Sequence, residues 1–338
     1  MRHIIGLLTA TLLLCGTLPA RALQPYSERV REHVLDNGLK VLLLEDHKAP
    51  VGVVQLWYKV GSRNERPGFT GLAHVLEHMM FKGTKRYGPE EYSRIIKRNG
   101  GNENAFTSND ATTYFATLAN DRLDIALELE ADRMQNLSFA ESEFTPELQV
   151  IMEERRMRVD NSPVGVMFEA LRANAYLAHP YQWPVIGWMT DLEQATRSDA
   201  LAFYKTHYQP NNAVLVAVGD FRNDDILERI EKHFGDIPAG TPPPVVRAIE
   251  PAQEGERRVT VRRAAELPYV AMAFHVPELG HADAYALEVA AAVLAGGRSS
   301  RLYEDLVYKR RLARSAVAEY DLISIDPSLF YLYAQPLP

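Results

Sequence analysis

The stretch His74-Val75-Leu76-Glu77-His78 sets two imidazoles four positions apart with a carboxylate between them. On a helix that spacing projects both rings from one face, about 40° apart around the axis, so both can reach a single ion. Glu77 falls on the adjoining side, where it can hold a water at the ion without being a ligand, as a general base in metal-assisted hydrolysis does. A lone helical histidine is more often a surface or core residue. The full pattern in a small-residue, apolar helix points instead to a zinc site.

A catalytic zinc keeps one position open and wants three protein ligands. Cys15 is the only cysteine and lies in a segment expected to be removed, so the third ligand must be His, Asp or Glu. The helix expected around Glu147, Glu153 and Glu154 offers candidates. With Ile151 as the centre of its apolar arc, Glu154 and Glu147 lie about 60° and about 40° away, whereas Glu153 lies about 160° away, on the other side. A carboxylate among buried apolar positions needs a metal or a cation to offset desolvation. Glu154 is therefore the expected third ligand and Glu147 a carboxylate supporting the site. Arg155 and Arg158 share the arc, and an internal ion-pair network is the alternative reading for both acids.

The elements that must position these residues follow from patterning. Arg31 to Glu45 reads as two strands around an Asn37-Gly38 turn, and Val51 to Val60 as a third. Helices are expected at Ala73 to Phe81, Pro89 to Asn99, Asp121 to Leu137 and Glu143 to Val159. Asn104 to Leu118 and Asn212 to Phe221 read as strand, and Asp224 to Phe234 as helix. Residues 238–251, with three consecutive prolines from Pro242, carry no period and read as a linker. Beyond it the order starts again, with strands at Arg257 to Arg263 and Tyr269 to His275, a helix from Ala282 to Leu294 and another after Gly296-Gly297. In this weak repeat Tyr285 and Val289 stand where the histidines stand in the first copy, so the second copy has no metal site. The expected organisation is a signal at 1–22, a zinc-binding domain at 23–237, the linker, and a second related, truncated domain at 252–338.

The chain has 338 residues, 46% of them apolar, enough for two domains. Its formal charge of −7, with both signs mixed, offers no basic field for nucleic acid. Arg2 and His3, the apolar run Ile4 to Leu14 and the Ala20-Arg21-Ala22 site read as an export signal, which suggests a periplasmic protein. No later stretch approaches the ~20 apolar residues of a membrane span.

The residues Gly71 to Thr84, Asn104-Ala105-Phe106-Thr107-Ser108 and Glu147 to Met157 resemble the inverzincin peptidases, the pitrilysin and insulinase family. Its members complete the zinc site with a Glu some 75 positions after the second His, and Glu154 stands 76 after His78. The resemblance implies an α+β fold of two related domains, each an antiparallel sheet backed by helices, enclosing a chamber. It also implies that Asn104, Ala105, Phe106 and Thr107 form an edge strand to which a peptide substrate adds by β-augmentation; an ordinary polar strand turn is the alternative. Active two-domain members carry an Arg and, seven positions on, a Tyr in the second domain. Here those positions are Val307 and Arg314. Some bacterial relatives divide the two halves between subunits, so a related metal-free subunit supplying the Arg and Tyr is the expected partner.

The resulting expectation is a zinc endopeptidase with one Zn2+ per chain on His74, His78 and Glu154, and Glu77 as base. A non-catalytic or zinc-binding scaffold subunit is the alternative.

Overall fold

The computed structural model describes residues 26–337. The expected signal, residues 1–22, lies outside them. Strands β1 (Arg31–Val34), β2 (Lys40–Glu45), β3 (Val51–Tyr58), β4 (Asn102–Thr107), β5 (Thr112–Ala119) and β6 (Ala213–Gly219) form one sheet in the order β1-β2-β6-β3-β5-β4. The β1–β2 hairpin turns at Gly38, whose φ of 84° suits a residue without Cβ.

Alternation decides which face of the sheet is covered. Val54, Leu56 and Tyr58 of β3 are buried together with Leu215 and Ala217 of β6, while the residues between them stay partly exposed. Against the buried face pack α1 (Leu72–Met79), α2 (Glu91–Arg98), α3 (Leu123–Asn136), α4 (Glu141–Arg155), α6 (Arg197–His207) and α7 (Asn223–Phe234), all contributing to one continuous core, whereas α5 (Pro163–Ala175) lies outside it.

The sheet is antiparallel except for the β2–β6 pair, which is parallel. Strand β6 returns after the helical excursion and inserts between β2 and β3, which run in opposite directions. Antiparallel to β3, it must be parallel to β2.

A second sheet, wholly antiparallel, is formed by β7 (Val270–Val276), β8 (Ala313–Tyr320) and β9 (Ser328–Pro336) in the order β7-β9-β8. Helix α8 (Ala284–Ala295) packs Ala284 and Ala291 on Ala318, Tyr320 and Phe330. Helix α5 reaches the same sheet, its Phe168 ring meeting Tyr331 and Tyr333 edge-on. Polar contacts add to this junction. Arg63 pairs with Asp110 at 3.2 Å and with Asp326 at 2.6 Å, and Asp326 also meets His179 at 3.0 Å.

No helix or strand lies between Phe234 and Val270, so the expected strand at Arg257 to Arg263 does not form. A strand needs a neighbour. Here the Arg257 guanidinium donates to the carbonyls of Asn174 and Ala175, holding the segment against the end of α5 instead of beside β7. The Pro-rich stretch before it is docked as well, because the Glu250 carboxylate accepts from the N–H groups of Leu177, Ala178 and His179. Helices α5 and α6 had no counterpart in the sequence reading. The helix expected after Gly296-Gly297 forms, largely as the π-helical segment Tyr303–Lys309.

Candidate metal centre

Helix α1 carries the two histidines, and its start is held by a distant carboxylate. Gly71 sits at the N-cap with φ 92° and has no side chain to cap with. The Glu65 carboxylate does this instead, accepting from the N–H of Gly71 at 2.8 Å and of Ala73 at 2.7 Å. The negative charge also suits the positive end of the helix. A Cβ at position 71 would come within 2.8 Å of the Ile186 carbonyl, so the glycine is required by space as well as by φ. Leu76 and Met79 then bury one face of α1 in the core and leave His74, Glu77 and His78 on the side facing α4 and β4.

His74 and His78 stack edge to face, with ring centroids 4.8 Å apart. Glu154 of α4 brings one carboxylate oxygen, Oε2, to 3.4 Å from His78 Nε2 and 3.8 Å from His74 Nε2. Among the described residues these three form the one group of His, Cys, Asp or Glu able to hold a metal ion, with ligand atoms all within 4.8 Å of one another. Burial holds the His74 imidazole down at about 3, helped by the nearby His78, so the ring is neutral at physiological pH.

Each group has an outer partner. His78 Nδ1 lies 2.7 Å from Glu147 Oε1, and the other Glu147 oxygen takes Lys82 Nζ at 2.8 Å. Burial works to raise the Glu147 carboxyl, but the hydrogen bonds from His78 and Lys82 outweigh it and hold the group below the usual carboxylate range. Arg158 pairs with Glu154 Oε1 at 2.7 Å, which leaves Oε2 to the histidines. Glu77 accepts from the Thr107 hydroxyl at 2.6 Å. Burial pushes the Glu77 carboxyl up, and that hydrogen bond offsets only part of the effect.

These residues fit a zinc ion. As a metal ligand through Nε2, His78 would donate its Nδ1 proton to Glu147 and turn the Nε2 lone pair toward the Glu154 oxygen. Two lone-pair atoms 3.4 Å apart repel unless a cation lies between them. A tetrahedral zinc with bonds of about 2.0–2.1 Å separates its ligand atoms by about 3.3 Å, near the 3.4 Å between Glu154 and His78, and the His74 ring would draw in from 3.8 Å. The carboxylate behind His78 is the arrangement that commonly fixes the tautomer of a ligating imidazole.

The wheel reading of α4 matches at its centre and fails at one flank. Ile151, Leu148 and Met152 are buried, Glu154 and Glu147 face the histidines, and the Glu153 side chain is 67% exposed. Val150 and Met157, which the same 100° step sets about 100° and about 120° from Ile151 on the Glu154 side, are exposed. Arg155 is buried, but its partners are Glu169 and Asp160 and not the two acids of the site.

The segment Asn104 to Thr107 lies in β4, at the edge of its sheet and packed against α1. Tyr285 and Val289 are exposed on α8. Val307 lies in the π-helical turn and Arg314 on β8, and neither offers an atom to the His–His–Glu group. The sequence reading missed Lys82 and Glu65, whereas the ion-pair alternative it raised for Arg158 holds beside Glu154. Lys82 reaches Glu147 from outside α4 and Glu65 reaches the start of α1 from outside that helix, so neither had a local signal.

Comparison with known proteins points the same way. The family model described as Insulinase (Peptidase family M16) matches residues 40–187, which contain all the site residues. The model described as Peptidase M16 inactive domain matches residues 194–338. The zinc protease PqqE of Helicobacter pylori is 39% identical over 341 residues, covering 99% of this chain and 76% of the relative. An uncharacterized zinc protease of Mycobacterium tuberculosis is 33% identical over 325 residues, 95% of this chain and 72% of that one. Among solved structures, a protease from Helicobacter pylori superimposes with a TM-score of 0.88 at 40% identity, over 91% of this chain and 75% of that chain. The periplasmic protease PqqL from Escherichia coli gives 0.73 at 21% identity, over 93% of this chain but 36% of that one.

Proposed function

The chain belongs to the insulinase family of peptidases (M16), and on that premise we propose that it is a zinc-dependent endopeptidase acting on peptides or unfolded segments. The observation that carries the proposal is the His74, His78 and Glu154 group, with Glu77 on the same helix and hydrogen-bonded at the edge strand β4. A family relationship alone leaves open an inactive half, whereas a complete donor set with an adjacent carboxylate favours the catalytic one.

In this reading His74, His78 and Glu154 would hold one zinc ion, and Glu147 would keep His78 in the tautomer that offers Nε2. When bound, zinc supplies Lewis acidity toward a peptide carbonyl and makes a nearby water more acidic. Glu77 takes the proton from the attacking water and delivers it to the leaving amine nitrogen. Burial, by raising its carboxyl, suits it to both halves of that transfer. Strand β4 offers backbone groups at an open edge, so an extended peptide adds there largely irrespective of sequence. The Arg2 to Ala22 stretch supports export to the periplasm, to be checked by N-terminal sequencing of the secreted chain.

The test is Glu77→Gln. Zinc content should stay at the wild-type level while kcat on an unfolded peptide falls about 10²–10⁴-fold. A variant as active as the wild type would remove Glu77 from the role.

A further inference from the structure

We propose that Thr107 is a positioning residue whose hydroxyl holds the Glu77 carboxylate in place from the same strand residue that receives the substrate backbone. The inference rests on the peptidase reading above. Among the described residues, the Thr107 Oγ1 contact at 2.6 Å is the one hydrogen bond that reaches the Glu77 carboxylate. It fixes Oε2 and leaves the other oxygen without a protein donor.

The register of β4 makes the position informative. Ala105 N–H is taken by the Asn104 side chain at 2.9 Å, which marks it as turned away from β5. In an antiparallel ladder such outward positions alternate, so Thr107, two residues on, also turns its N–H and C=O to the open edge. Side chains alternate with the same period. Ala105 packs against the core, and Thr107, on the same face, reaches Glu77 on α1. A peptide strand that pairs with the Thr107 backbone therefore steadies the residue whose hydroxyl orients Glu77. Strand occupancy and alignment of the carboxylate are coupled through one side chain.

The experiment compares Thr107→Val, which keeps the branched shape and removes the hydroxyl, with Thr107→Ser, which keeps the hydroxyl. Both are made in the full chain and followed by zinc content, thermal melting, peptide hydrolysis and crystallography. The valine variant should keep zinc, melt within a few degrees of the wild type, hold KM within about twofold and lose kcat by about 10–100-fold. Its Glu77 carboxylate should leave the position seen here, and serine should restore both rate and position. A valine variant with wild-type kcat, or one whose Glu77 has not moved, would overturn the proposal, as would a serine variant as slow as valine. A wild-type chain no more active than Glu77→Gln would instead sink the peptidase reading; the position of Glu77 in the two Thr107 variants would then still decide whether the hydroxyl holds it.

Discussion

Two adjacent carboxylates on α4, Glu153 and Glu154, share a chemistry and differ in direction. Glu154 meets both histidines, whereas Glu153 pairs with Arg156 at the surface. Replacing Glu154 by Gln should therefore strip zinc from the purified protein, and Glu153→Gln should leave it bound, as read by metal analysis after dialysis against a weak chelator. Equal retention in the two variants would take Glu154 out of the ligand set. A smaller effect is expected one layer out. Lys82→Met removes the ammonium that steadies Glu147, and zinc affinity should fall by less than the ~10–100-fold usual for a direct partner of a ligating histidine such as Glu147, as read by zinc titration.

At the scale of elements, α1 holds two ligand candidates and the proposed base, yet its first turn depends on Glu65 outside the helix. Glu65→Ala should cost about 1–2 kcal/mol in urea melts, in the range of a lost helix cap, and should weaken zinc binding as well because the helix start frays. A stability loss with unchanged zinc affinity would mean that the histidines are held by packing alone. Helix α6 offers a pH test. His207 is buried at its end, and burial lowers its imidazole to about 4. The folded state resists protonation, whereas the unfolded chain takes up the proton near the ordinary value of 6.5. The unfolded state thus binds more protons between about 6.5 and about 4, so stability falls as the pH drops through that window, by at most about 3 kcal/mol. His207→Leu should flatten this part of the pH–stability curve. An unchanged acid limb would assign it to other groups.

For the whole molecule, the first sheet and its helices carry the complete His–His–Glu group, while the second sheet contributes no atom to it. Each donor aimed at a developing oxyanion is commonly worth about 3 kcal/mol, and Val307 and Arg314 occupy the positions where the family pattern has an Arg and a Tyr. We propose on this ground that a related, metal-free chain supplies the missing pair. The isolated chain should then hydrolyse an unfolded peptide slowly and gain about 100-fold or more when mixed with a related chain that lacks the histidine pair. Full speed without a partner, and no co-purification, would show that this chain supplies the missing donors itself.

Much of the site was legible in the sequence because it depends on local periodicity. His74, Glu77 and His78 share one helix, and a 100° step is enough to set Glu154 and Glu147 apart from Glu153. The hairpin at Asn37-Gly38 was readable for the same reason, because turn chemistry is a property of neighbours in sequence; the edge segment before Ser108 came from the family resemblance, and the single strand read from Asn104 to Leu118 is in fact two, β4 and β5, paired across a turn. Tertiary structure alone decided the rest. The parallel β2–β6 pair depends on where a strand some 170 residues later inserts, and the absent strand at Arg257 to Arg263 on the lack of a neighbour to pair with. Glu65 reaching the start of α1, and Thr107 reaching Glu77 from 30 residues away, are contacts between elements whose relative placement no local pattern encodes. Periodicity tells which way a side chain points from its own backbone; what it meets there is set by the packing of the whole chain.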